Sequence, residues 1–166
     1  MKTDVAPLRE EHFAELRGVL DAVAREGRYL AFLQAPPVEE AFAFYRSILD
    51  RDCAHFVALV GGRVVGWCDV LPPYGESRAH VGILGVGLLP EFRGSGNGAA
   101  LMSAAIARAW EKGLTRIELT VRSDNLRAKR LYERLGFAVE GTNRHAFCVD
   151  GQYFDAFSMG MLRHEA

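Results

Sequence analysis

Apolar positions along the chain change spacing several times, and each change marks an element. Between Glu10 and Glu26, Phe13, Leu16, Leu20 and Val23 recur every three or four residues, which predicts a helix with one buried face. The preceding "TDVAPLRE" (3–10) reads as a short strand, and Pro7 suits it to a sheet edge, because proline cannot donate to a ladder. "VEEAFAFYRSILD" (38–50) is a second helix, opened by Pro37. The runs "AHFVALV" and "RVVGWCDVL" flank "GGR" and predict a hairpin. "HVGILGVGLL" (80–89) reads as a strand interrupted by Gly82, Gly85 and Gly87, which signal a bulge or the close approach of another backbone.

From Gly98 to Lys112, Leu101, Met102, Ala105, Ile106, Ala109 and Trp110 form a helical stripe, with Gly113 just past its end. "TRIELTV" (115–121) is a strand. "NLRAKRLYERLG" (125–136) is a helix that Asn125 can cap and Gly136 can end. "FAVEGTNRHAFCV" and "QYFDAFSMGMLR" close the chain as a hairpin through Asp150-Gly151.

The order is strand, two helices, three strands, helix, strand, helix, two strands. A strand–helix–strand passage implies a parallel pair with a right-handed crossover, whereas hairpins make the other neighbours antiparallel. The expectation is one mixed α/β domain over 1–166, with helices on both faces of a mixed sheet.

Composition narrows the function classes. Lys and Arg number 20 against 21 Asp and Glu, so the formal charge is -1 and nothing favours a nucleic-acid partner. Cys53, Cys68 and Cys148 make no disulfide or metal pattern, so no metal is expected. No run is long enough to cross a bilayer, and the N-terminal segment is acidic where a signal peptide needs an apolar core. A cytoplasmic protein with no membrane partner is therefore expected.

"RGSGNG" (93–98) stands directly before the stripe beginning at Leu101. A glycine-rich turn between a strand and a helix leaves unpaired N–H groups that suit an anion, and it lets phosphate approach the backbone. A nucleoside-triphosphate loop would need Lys and Ser or Thr after the last glycine, but Ala99 and Ala100 follow Gly98. The G-x-G-x-G spacing also departs from the dinucleotide fingerprint. Phosphate binding and a tight structural turn both remain open on spacing alone.

The stretch "LLPEFRGSGNGAALMSAAIARAWEKG", with Arg93, Gly96 and Gly98, resembles the acetyl-coenzyme A signature of the GNAT family of N-acetyltransferases. "NLRAKRLYERLGF" resembles that family's second segment at Asn125, Ala128, Tyr132, Gly136 and Phe137. The resemblance implies an acyl-coenzyme A N-acyltransferase-like fold. Its sheet would be mostly antiparallel, with one splayed parallel pair formed by the strands starting near His80 and Thr115. Acetyl-coenzyme A would be the co-substrate. Its pantetheine arm would lie against Val86, Gly87 and Leu88, and its diphosphate on the amides of Arg93, Gly94, Ser95, Gly96, Asn97 and Gly98. Asn125 would meet the cofactor arm, and Arg127 and Lys129 are candidates for its terminal phosphate.

Acetyl transfer to an amine needs a proton acceptor and help for the departing thiolate. By the resemblance, Tyr132 supplies a proton or hydrogen bond to the sulfur. Glu118 is the first candidate base, expected to be buried with a raised pKa; His80, Glu76 and Asp69 are rivals. The acceptor site would be shaped by 27–37, 71–77 and the closing hairpin, with Tyr29, Phe32, Tyr74 and Tyr153 as apolar walls. Asp155, Glu76 or Glu118 would attract the amine. The expected activity is acetyl transfer to a primary amine of a small molecule or amino acid by direct attack in a ternary complex. A protein N-terminal or lysine acetyltransferase and a non-catalytic acyl-coenzyme A-binding protein are the alternatives. The final hairpin offers an edge for two-fold pairing, which leaves a homodimer open.

Overall fold

The computed structural model describes residues 2–164. In chain order its elements are β1 (Asp4–Pro7), α1 (Phe13–Arg25), α2 (Val38–Asp50), β2 (Ala54–Val60), β3 (Arg63–Leu71), β4 (Val81–Leu88), α3 (Asn97–Glu111), β5 (Arg116–Arg122), α4 (Leu126–Leu135), β6 (Ala138–Val149) and β7 (Gln152–Leu162). This is the order that the hydrophobic pattern predicts. The strands form one sheet of seven, in the order β1-β2-β3-β4-β5-β7-β6.

Local chemistry explains the element ends. The Asn125 side chain accepts from the Ala128 amide at 3.2 Å and caps α4, while Gly136 ends that helix with φ at 110°. Asp150 and Gly151 have φ of 51° and 75°, the positive pair that a tight hairpin between β6 and β7 requires. Proline-bearing β1 lies at the sheet edge, as its composition predicts.

Two apolar layers hold the sheet. On one face, Leu101, Met102, Ala105 and Ala109 of α3 pack with Cys68, Leu84, Leu88, Ile117, Leu119 and Val121, and α4 joins through Leu131 and Tyr132. On the other, α1 and α2 bring Phe13, Leu16, Val23, Tyr45 and Ile48 against Val57, Val64 and Trp67. Burying a large apolar side chain contributes roughly 1.5–3 kcal/mol, so these layers fix the strands that carry the site.

All neighbouring strands are antiparallel except β4 and β5. Their parallel register covers Val81↔Arg116, Gly82↔Ile117 and Ile83↔Glu118, then stops, although β4 continues to Leu88 and β5 to Arg122. Beyond Ile83 the two strands part, opening the sheet.

The glycines of β4 have a different reason from the expected bulge. Register with β3 is unbroken from Gly66↔Leu88 to Leu71↔Ile83. A Cβ on Gly87 would collide with the Trp67 ring, and one on Gly82 with Val70 and Leu114. A Cβ on Gly85 would lie 3.2 Å from Asp69 Oδ1. These positions make room for side chains of β3 and its surroundings.

Candidate active site

The turn from β4 into α3 presents a row of free donors. The Arg93 amide donates to the Pro90 carbonyl, and the Ala100 amide closes the first helical turn on the Gly96 carbonyl. Among the described residues, the amides from Gly94 to Ala99 have no intramolecular acceptor. Gly94 and Gly96 have φ of 79° and 85°, which turn successive N–H groups outward at a helix N-terminus. Such a nest binds phosphate oxygens by backbone donors and the helix dipole, without a metal.

This turn opens into a cleft of about 390 Å³ between the parted strands. The structure brings Val86, Gly87, Leu88, Arg93, Gly94, Gly96, Gly98, Asn125 and Tyr132 together in its lining. Tyr29 joins from beyond the end of α1. Ser95, Asn97 and Lys129 do not line it. The Asn97 side chain donates to the Phe92 carbonyl at 2.9 Å, bracing the turn. Lys129 pairs with Glu133 at 2.5 Å and lies over the Phe157 ring.

Arginines surround the opening with different duties. Arg93 is engaged by Glu26 and by the Leu88 carbonyl, so its side chain anchors the turn instead of pointing a free guanidinium at phosphate. Arg127 lies over Gly94, where any Cβ would strike its guanidinium. Arg28, Arg127 and Arg134 line the cleft and make no ion pair among the described residues. They give the mouth uncompensated positive charge that fits phosphate.

Arg122 is the residue that sequence reasoning missed. It is buried, pairs with Asp124 at 2.6 and 3.0 Å, donates to the Gly27 carbonyl at 2.9 Å and covers the Phe154 ring at 3.6 Å. It thereby joins β5, the segment after α1 and the closing hairpin. Its strand position carried no sequence signal for burial.

Tyr132 projects from α4 toward the cleft beside the Cys68 thiol. Burial, and secondarily that thiol, push its pKa well above the usual phenol value, so the hydroxyl keeps its proton. The hydroxyl makes no hydrogen bond among the described residues although it lines the cleft. It is a free donor in an enclosed setting.

The candidate bases separate sharply. Partial burial pushes the Glu118 carboxyl up, but hydrogen bonds from Arg116 and Arg78, each 2.9 Å, outweigh it and hold the pKa below the ordinary carboxylate range. The expected raised pKa is thus corrected: Glu118 is the last residue of β5 paired with β4, tied between two guanidinia. His80 is exposed just before β4, and its carbonyl accepts from the Thr115 and Arg116 amides. Glu76 is exposed on a short turn at Glu76–Arg78. Asp69 differs from all of these. Burial pushes its carboxyl up to about 7, against a hydrogen bond from the Gly85 amide that lowers it.

The expected acceptor walls are dispersed. Phe32 lines a second cavity of about 360 Å³ between α1, α2 and the 34–37 segment, whose other walls include Leu20, Phe44 and Tyr45. Tyr74 is fully exposed. Tyr153 stacks on His145 with ring centroids 4.5 Å apart, and Asp155 accepts from the His145 amide at 2.9 Å; both serve the closing hairpin. Among the described residues no group of three or more His, Cys, Asp or Glu is placed to hold a metal. No described helix is long and apolar enough to cross a membrane.

Residues 19–137 match the model of the Acetyltransferase (GNAT) family. The chain belongs to this family. The match contains the whole cleft-forming run from β4 through α4, and the family's general activity, acetyl-coenzyme A-dependent acyl transfer to an amine, comes with it. The chain is 33% identical over 109 residues to the L-amino acid N-acetyltransferase AaaT of Escherichia coli K12, covering 64% of this chain and 67% of that protein. It is 44% identical over 77 residues to a mycothiol acetyltransferase of Kocuria rhizophila, of whose length the match spans only 25%. The GNAT phosphinothricin acetyltransferase of Sinorhizobium meliloti, solved in complex with AcCoA, superposes with a TM-score of 0.92 at 19% identity, covering 100% of this chain and 91% of that one. At that identity the likeness shows a shared GNAT fold.

Proposed function

We propose that this GNAT chain transfers the acetyl group of acetyl-coenzyme A to the primary amine of a small molecule or amino acid, by direct attack in a ternary complex. The observation that carries the reading is the row of unpartnered amides from Gly94 to Ala99, opening on a cleft that ends at the free Tyr132 hydroxyl. The amides and Arg127 fit a diphosphate. The β4 backbone beyond Ile83, unpaired on its β5 side, fits the amide-bearing pantetheine arm. The AaaT relative, an L-amino acid N-acetyltransferase, supports an amino-acid-like acceptor.

The residues divide the work as follows. The amide nest and the arginines at the mouth hold the phosphates. The splayed strands orient the thioester end toward Tyr132. The amine attacks the thioester carbonyl, the C–S bond breaks, and Tyr132 supplies a proton to the sulfur as the negative charge develops there. A phenol that stays protonated in its enclosed setting suits a general acid.

The test is acetyl-coenzyme A turnover, followed by thiol release, across a panel of amino acids, polyamines, other small amines and peptide N-termini. Turnover with a small amine supports the reading. Acetyl-coenzyme A binding by calorimetry without turnover on any amine would establish a binding protein instead.

A further inference from the structure

We propose that Asp69 is the catalytic base of this site, receiving the acceptor's proton on the sheet face opposite Tyr132. The proposal rests on the acyl-transfer reading above and names the group which that reading leaves unassigned.

The placement comes from strand geometry. Successive residues of a strand face opposite sides of the sheet. Cys68 of β3 faces the α3–α4 layer, where Tyr132 packs with it. Asp69, its neighbour, therefore faces the α1–α2 layer. The two residues pair across β3–β4 with Val86 and Gly85. Tyr132 and Asp69 thus sit within about one residue of the same level on opposite faces. That level is just beyond Ile83, where β4 and β5 part. Gly85 places no Cβ against Asp69 Oδ1, and the Asp69 side chain is 14% exposed.

Among the described residues, Asp69 has no lysine or arginine partner. Glu118 is bound by Arg116 and Arg78, Glu26 by Arg93, and Asp124 by Arg122. From β2, His55 approaches Asp69 with Nδ1 3.9 Å from Oδ2, and burial pushes the imidazole down to about 3, so it stays neutral. Neither His55 nitrogen has a hydrogen-bond partner among the described residues. From α2, Tyr45 is a buried phenol pushed up to about 12. From α1, Arg17 is engaged by the Pro36 carbonyl and Glu15 accepts from the Val64 amide at 2.7 Å; the alternate residues of β4 on this face are Ile83, Gly85 and Gly87. Among the described residues no lysine or arginine pairs with the carboxylate, and burial keeps it basic enough to take a proton near neutrality.

The protons balance. The ammonium acceptor gives one proton to the Asp69 carboxylate, which passes it to water. The neutral amine forms the N–C bond, the C–S bond breaks, and the sulfur takes the Tyr132 proton. The nitrogen then loses its second proton, which restores the phenol. The net products are the acetamide, free coenzyme A thiol and one proton.

The test is the pH profile of kcat/KM at saturating acetyl-coenzyme A, with one strongly and one weakly basic amine. Wild type is expected to show an ascending limb with a midpoint near neutrality, in the same place for both amines. In D69N that limb disappears and the rate falls on the order of 100-fold or more, while coenzyme A affinity stays within about two-fold of wild type. Should D69N not fold, D69E reads the same question: a displaced limb and a reduced rate support the assignment. A wild-type rate and an unchanged limb in whichever variant folds overturn it. So does a limb that follows the amine's own basicity. Wild type that binds acetyl-coenzyme A and turns over no amine sinks the proposed function, and this assignment with it.

Discussion

Arg93 holds the carboxylate of Glu26 with both terminal nitrogens, at 2.9 and 2.6 Å, while its Nε donates to the Leu88 carbonyl at 2.9 Å. One side chain thereby ties the end of β4 and the glycine turn to the residue just after α1. Arg93→Ala removes these charge-assisted bonds and leaves Glu26 half-buried and unpaired. It is expected to cost about 2 kcal/mol of stability and to weaken coenzyme A binding by loosening the turn. Denaturant unfolding and calorimetry check the two effects. E26Q should reproduce most of the binding loss, because the arginine acts through position.

The glycines of the turn are separable by substitution. Gly96→Ala places a side chain at φ 85° in open space, so only backbone strain of about 1–2 kcal/mol is expected. Gly94→Ala adds a collision with the Arg127 guanidinium. Coenzyme A affinity should therefore fall further in G94A than in G96A, and calorimetry on the two variants decides the order.

Tyr132→Phe removes a hydroxyl that bonds to nothing in the described structure and leaves its packing against Phe137 in place. Thermal stability and coenzyme A affinity should stay near wild type. The value of kcat should fall on the order of 100-fold, because proton supply to the sulfur is lost. An affinity change matching the loss of rate would instead make the residue a binding group.

Asp69 and His55 pull the pH dependence of stability in opposite directions. Asp69 has a folded pKa of about 7 against an ordinary 3.8, so its native state binds the extra proton and stability falls as pH rises from about 4 to 7. His55 is pushed from 6.5 to about 3, so the unfolded chain binds the extra proton and stability falls as pH drops from about 6.5 to 3. Across the shared window the two slopes oppose. D69N should steepen the gain of stability with rising pH there, and H55F should expose the opposite slope. Urea unfolding across this window measures both.

Much of the cleft was legible in the chain because its donors belong to the backbone. Glycine spacing before an apolar helical stripe signals free amides without reference to any distant residue, and Asn125 and Gly136 cap α4 through neighbours in sequence. The charged side chains were less legible. Glu118 lies on the strand expected for it, but Arg78 and Arg116 reach it from a loop and from its own strand, reversing its expected pKa shift. Arg122 lies one residue past the strand expected at 115–121, and its role rests on Asp124, Gly27 and Phe154, which only the fold brings around it.

The chain alone determined the succession of elements, the parallel pair and the glycine-rich turn into a helix, since periodicity and local backbone freedom are properties of neighbouring residues. Only the folded sheet decided where β4 and β5 separate, why Gly82, Gly85 and Gly87 are needed, and which carboxylate lacks a counter-charge. Those outcomes depend on what lies across a strand or on the far face, and burial and electrostatic pairing follow distance in space.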